Sequence, residues 1–251
     1  DIQPVSNIDE FRIGIAETYD VIVEPQAGAY TIFSQAIDRS GYARGTLTSN
    51  PAQQAAIPKM DPMPILTHAD MGMGGMHDME GMDHSAMGGM NHDMAGMDHS
   101  SMENAGGVQV KRGPQVDMVA MDAQVRLDDP GVGLRKNGRK VLTYADIKNR
   151  YPTKDKRPPS REIELHLTGN MSRYMWSFNG VKYADSKPIG LRFGERVRFT
   201  LINDTMMNHP VHLHGMWSEL ETGDNNYLPR KHTIVVQPGA KISYLVTADA
   251  K

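Results

Sequence analysis

Between Met71 and Met102 the chain has no leucine, isoleucine, valine or aromatic residue, and a stretch without them cannot offset its ordering entropy by burial. Gly72, Gly74, Gly75, Gly81, Gly88, Gly89 and Gly96 also disfavour a continuous helix there. Whatever folds must be assembled from the sequence on either side. The stretch itself is expected to be an insertion, disordered until it binds something.

That insertion is loaded with metal donors. Twelve of the nineteen methionines and five of the ten histidines fall between Met60 and Met102, so the bias is local. The candidate ligands are Met71, Met73, Met76, His77, Met79, Met82, His84, Met87, Met90, His92, Met94, Met97, His99 and Met102. The unit from His77 to Met87 recurs fifteen residues later as His92 to Met102, changed only at Glu80/Ala95 and Ala86/Ser101. Keeping every histidine, methionine and aspartate multiplies ligand capacity and does little for packing.

Thioether sulfur is soft and favours Cu(I), while imidazole accepts either oxidation state of copper. Asp61, Asp70, Asp78, Glu80, Asp83, Asp93 and Asp98 add negative potential, with no lysine or arginine between them. Methionine usually fills gaps in cores. Here it has no leucine, isoleucine, valine or aromatic residue to pack with, so a copper role is the stronger reading, the alternative being a flexible spacer of biased composition.

A second cluster lies in His209-Pro210-Val211-His212-Leu213-His214-Gly215. If the segment is extended, His212 and His214 project to one face, and His209, an odd number of positions away, tends to the other. One strand can then feed two metal centres. The segment alone does not choose the metal, since zinc is also bound by imidazole, but a catalytic zinc needs an open position and a nearby base. The methionine repeats favour copper. His166, in an alternating strand, reads as an ordinary solvated or hydrogen-bonded histidine.

The net charge of −3, with no long basic run, argues against nucleic acid as a partner. No apolar stretch approaches the roughly 18–20 residues needed to span a membrane. No secretory signal is visible at Asp1, so the chain reads as a processed product or an internal piece. Cysteine is absent.

The flanks read as β. Strands are expected over Phe11–Ile15, Thr18–Val23 and Ala29–Ile37, then over Glu162–Leu167, Tyr174–Phe178, Val197–Ile202, Thr233–Val236 and Ile242–Val246. Asn179-Gly180 is a tight-turn signal, Gln237-Pro238-Gly239 joins the last two strands, and Thr143–Tyr151 is the best helical candidate. The expected class is all-β, a Greek-key sandwich or barrel.

The histidine motif, Trp176-Ser177-Phe178-Asn179-Gly180 and Ala16-Glu17-Thr18-Tyr19-Asp20-Val21 resemble the multicopper oxidases. The methionine repeats point to their periplasmic copper-resistance branch, copper resistance protein A. The resemblance runs over essentially the whole chain. It implies cupredoxin-like Greek-key β-sandwich domains: residues 1–50 as the end of a middle domain, 51–115 as a Met/His/Asp-rich copper-binding insertion, and 116–251 as a third domain. It further implies His209 as a type 1 copper ligand, His212 as a type 2 ligand and His214 as a type 3 ligand. Met207 becomes a thioether contact for substrate Cu(I), with Asp204 a weaker helper.

The parent activity so implied is oxidation of Cu(I) or phenolic substrates with reduction of dioxygen to water. The family also uses two earlier His-x-His pairs and a late His-Cys-His segment, none of which is present. The chain stops at Lys251, where that segment is expected, so it reads as a portion that needs the remainder of its parent and is inactive alone. Two other readings stand beside this one. One is a non-enzymatic periplasmic copper-sequestering protein that uses only the repeats. The other is a cupin-type metalloenzyme, loosely suggested by His212, His214 and Glu219 but with Met206 where a glycine is expected.

Overall fold

A computed structural model describes residues 1–74 and 107–250. Its central feature is a six-stranded sheet in the order β10-β9-β12-β7-β5-β6. These strands are β5 (Arg161–Asn170), β6 (Met175–Phe178), β7 (Arg196–Asn203), β9 (Ser218–Leu220), β10 (Arg230–Lys231) and β12 (Lys241–Thr247). β5 runs parallel to β7, and the other pairings are antiparallel.

A second sheet pairs β8 (His209–His212) with β11 (Thr233–Val236). Ile234 and Val236 of β11 pack with Val197, Phe199 and Leu201 of β7 and Ile242, Tyr244 and Val246 of β12. That packing is the sandwich core. It follows from alternation, since every second residue of β7 and β12 is apolar and inward-facing. On the other face, Thr200 and Ser243 face each other and share a 3.0 Å hydrogen bond. The architecture is all-β, as the strand pattern implied, and fits the cupredoxin-like sandwich that the resemblance implied. Among the described residues helix is confined to short 3-10 turns such as Tyr144–Asp146, Met171–Arg173 and Tyr183–Asp185.

The N-terminal part supplies β1 (Glu10–Phe11), parallel to β4 (Val141–Leu142), and a hairpin of β2 (Ala29–Gln35) and β3 (Tyr42–Thr48). β3 carries little apolar alternation and escaped the sequence reading. Two expected strands do not form as such. Only the first residue of Phe11–Ile15 pairs, and Thr18–Val23 has no ladder partner, with Ile22 91% exposed. A turn intervenes, where the Glu17 N–H bonds the Gly14 carbonyl at 3.1 Å and Ala16 sits at φ +61°.

The helix expected over Thr143–Tyr151 is also corrected. Thr143 and Asp146 form a capping box around one 3-10 turn, and the chain then extends at Ile147. Tertiary pairing outweighs local propensity. The Asn149 N–H goes to the Tyr227 carbonyl at 2.9 Å, and Ile147 is 1% exposed. The Asn179-Gly180 turn forms as expected, with both residues at positive φ between bridged Phe178 and Val181.

Candidate metal centre

β8 is the strand that carries the histidines, and Pro210 within it, lacking an N–H, suits a strand outside the main sheet. Its ladder pairs His209 with Val236 and His212 with Thr233. Being three residues apart, the two imidazoles leave opposite faces.

His209 meets β6. Its ring stands edge-on to Trp176 at 4.8 Å between centroids and 6.4 Å from Phe178. Its Nδ1 is buried and has no hydrogen-bond partner. A buried nitrogen without a partner is costly unless something else satisfies it. Burial also pushes the imidazole below its ordinary pKa, so the lone pair stays available at neutral pH. This is the donor a soft or borderline metal needs, and it fits copper.

The approach to His209 is fixed by Asn203, which is fully buried. Its amide N–H2 donates to the carbonyls of Met207 at 2.7 Å and Val236 at 2.9 Å, while its carbonyl accepts from the Thr205 N–H and hydroxyl. This leaves the Met206 and Met207 side chains on the surface, 44% and 46% exposed, just ahead of His209. Asp204 is not free to assist them. It is completely buried, accepting from the Ala120 N–H at 2.8 Å and bonded to His166 Nδ1 at 2.7 Å. His166 is thus a structural hydrogen-bonded histidine.

On the other face, the His212 and His214 rings lie 4.7 Å apart, edge to face. His212 Nδ1 donates to the His232 carbonyl at 2.7 Å, and because a carbonyl only accepts, the proton sits on Nδ1 and Nε2 keeps its lone pair. Gly215, at φ +76°, turns the chain away after His214. A third imidazole missed in the sequence, His232, stands 5.6 Å from His212 and 5.8 Å from Trp217. No motif marks it, because only the β8–β11 register brings it close. Among the described residues no three His, Cys, Asp or Glu converge tightly enough to hold a metal by themselves. The pair His212 and His214 therefore fits as part of a larger ligand set. Glu219, which a cupin set would need, is bound instead to Arg196 at 2.8 Å.

Of the insertion, Met71 and Met73 are half-buried. Gly72, at φ +71°, lies against Gly239, and Arg126 donates to the Asp70 carbonyl at 2.7 Å. Asp70 is not a free cation collector. Burial raises its pKa, but Arg135 and Thr67 more than compensate and hold the carboxyl below its ordinary value. Met76, His77, Met79, Met82, His84, Met87, Met90, His92, Met94, Met97, His99 and Met102 lie outside the described residues.

Residues 156–251 match the multicopper oxidase family model. The chain is 56% identical to copper resistance protein A of Escherichia coli, over 99% of its own length and 46% of that protein. It is 55% identical to a copper resistance protein A homolog of Pseudomonas syringae pv. tomato, over 99% of its length and 45% of the relative. It therefore spans about half the length of these relatives. Among solved structures, the blue copper oxidase of Nitrosomonas europaea overlaps 39% of this chain and 37% of its own, at 19% identity and a TM-score of 0.32. Residues 156–251 thus carry a multicopper oxidase domain, and nearly the whole chain is similar to copper resistance protein A.

Proposed function

We propose that the chain is the copper-handling portion of a periplasmic multicopper oxidase whose whole protein oxidises Cu(I) or phenolic substrates and reduces dioxygen to water. The observation that carries this reading is the two-faced strand β8. His209 offers a bare, buried Nδ1 on one side, and His212 offers a free Nε2 on the other. In this reading His209 holds type 1 copper, His212 type 2 copper and His214 one type 3 copper. Copper bound there supplies one-electron transfer and dioxygen reduction, which imidazole alone cannot.

The chain's own residues set the surroundings. Trp176 and Phe178 flank His209 with aromatic surface and help keep water away. The short run from His209 to His212 links the two faces through β8 itself. Met207 presents an exposed thioether to incoming Cu(I), and the repeats up to Met102 gather that ion. With no cysteine in the chain, the type 1 thiolate and the remaining imidazoles come from the rest of the parent protein. The periplasmic assignment rests on the likeness to the copper-resistance branch.

The test is a pair of variants in the intact, copper-loaded protein. His209→Ala should abolish the blue absorption and leave the other copper bound. His212→Ala should keep the blue absorption and abolish dioxygen consumption. Identical losses in the two variants would sink the two-face assignment. Full copper uptake by the unaltered protein, with no dioxygen consumption on supplied Cu(I), would replace the oxidase reading with sequestration.

A further inference from the structure

The chain leading into β11, the partner of the histidine strand β8, is gripped by a stretch far away in sequence. Ala16, Glu17 and Thr18 meet Lys231, His232 and Thr233 across separations of 214 to 217 residues. The Thr233 hydroxyl donates to the Ala16 carbonyl at 2.8 Å. Glu17 Oε1 receives Lys231 Nζ at 2.8 Å, and Thr18 Oγ1 lies 3.1 Å from His232 Nε2.

Counting hydrogens fixes the direction of each bond. A hydroxyl has one proton, and that of Thr233 is committed to a carbonyl that can only accept. Its oxygen is left to accept, and two imidazole nitrogens face it: His232 Nδ1 at 3.1 Å and His212 Nδ1 at 3.2 Å. His232 therefore carries its proton on Nδ1. In the neutral ring Nε2 is then an acceptor, matched by the Thr18 hydroxyl. His212 Nδ1 donates chiefly to the His232 carbonyl, with Thr233 Oγ1 as its second acceptor. Both the tautomer and the ring plane of His212 are thereby set from behind, and its Nε2 is turned outward.

We propose that Thr18, His232 and Thr233 are positioning residues that aim Nε2 of His212 at its metal. A segment belonging to the preceding cupredoxin portion thus tunes the metal affinity of the following one. Outer hydrogen bonds of this kind hold a ligating imidazole in one orientation and raise its basicity, and losing one typically lowers metal affinity about 10- to 100-fold. The proposal rests on the reading of His212 as a copper ligand.

The experiment titrates cupric ion into the intact protein and follows the paramagnetic resonance of the copper bound through His212. The blue absorption of the His209 copper serves as internal control. Thr233→Val should weaken the His212 site about 10- to 100-fold and alter its resonance, leaving the blue absorption unchanged. Thr233→Ser, which keeps the hydroxyl, should restore both affinity and signal. Thr233 is buried, so Thr18→Val at an exposed position provides a second variant with no burden on folding and should shift the site in the same direction. Unchanged affinity and resonance in both valine variants would overturn the proposal. Unchanged copper uptake in His212→Ala would instead remove the ligand reading beneath it, so the two failures are told apart.

Discussion

Lys231 and Glu17 form a buried ion pair, Nζ lying 2.8 Å from Oε1 with side-chain exposures of 8% and 2%. The same carboxylate accepts from the hydroxyls of Tyr19 at 3.1 Å and Tyr144 at 3.0 Å and from the Gly14 N–H at 3.0 Å. Burial, and then the Glu17 charge, push both phenols upward in pKa, so they remain donors. The ammonium also lies 4.3 Å from the Tyr19 ring centroid. This pair locks the N-terminal portion to β10, just ahead of the strand that pairs with the histidine strand β8.

Breaking such a pair from one side leaves a buried charge uncompensated, at about 3–5 kcal/mol. Glu17→Gln is expected to lower the urea midpoint by that equivalent at an unchanged slope. The double variant Glu17→Gln/Lys231→Met should recover much of the loss. A loss of only about 0–1 kcal/mol in the single variant would mean the pair behaves like an exposed one.

His166 makes a pH-dependent contribution to stability. Burial lowers its pKa, but the bond to Asp204 Oδ2 at 2.7 Å and the Glu164 carboxylate at 3.5 Å outweigh that, and the net shift is upward from 6.5. A raised folded-state pKa means the folded protein binds the proton more tightly than the unfolded chain. The contribution is therefore complete below pH 6.5 and is lost as pH climbs through the raised value. Chemical melts across this range should show that decline in the native protein and its absence in Asp204→Asn. Equal slopes in the two would contradict the assignment.

The strands legible in the sequence are those whose alternation reports a buried face. β5, β7 and β12 alternate because one side faces the core. Thr18–Val23 carries equally β-prone residues but finds no partner among the described residues, because apolar, β-branched residues favour pairing without supplying a neighbour. The opposite placement of His209 and His212 was readable because it needs only the two-residue period of a strand. His232, Thr18 and Glu17 were not readable. Their roles arise from register and from contacts more than two hundred residues apart, which local spacing does not encode. Asp204 looked like a candidate cation ligand by proximity in sequence, yet its side chain turns inward to His166.

Gly239 is expected to be intolerant of any side chain. It sits at φ +59°, and a Cβ there would collide with Gly72 N and Met71 C and lie 2.7 Å from the Asp70 carbonyl oxygen. These are backbone atoms, so no rotamer change relieves the contact. Gly239→Ala adds about 1–2 kcal/mol of left-handed strain and about 1–3 kcal/mol of overpacking. The cheapest relief is to release residues 67–73 from the turn, with loss of the Arg126 bonds to the Ala69 and Asp70 carbonyls. Limited proteolysis should then cut between Thr67 and Gly74 faster than in the native protein. An unchanged cleavage rate would show that the turn yields instead.

The methionines between Met76 and Met102 are expected to serve copper and not packing, because the run between them offers no leucine, isoleucine, valine or aromatic partner. Replacing them with leucine keeps the bulk and removes the soft sulfur, so the two roles give opposite outcomes. If they bind Cu(I), an anaerobic cuprous titration of the leucine variant should saturate at fewer equivalents, with the thermal midpoint of the β-sandwich unmoved. If they serve packing, the stoichiometry should hold and the midpoint should shift. A parallel titration with Cu(II) separates sulfur from imidazole. The histidines His77, His84, His92 and His99 are retained, so cupric binding should fall much less than cuprous binding, and an equal fall in both would argue against thioether ligation.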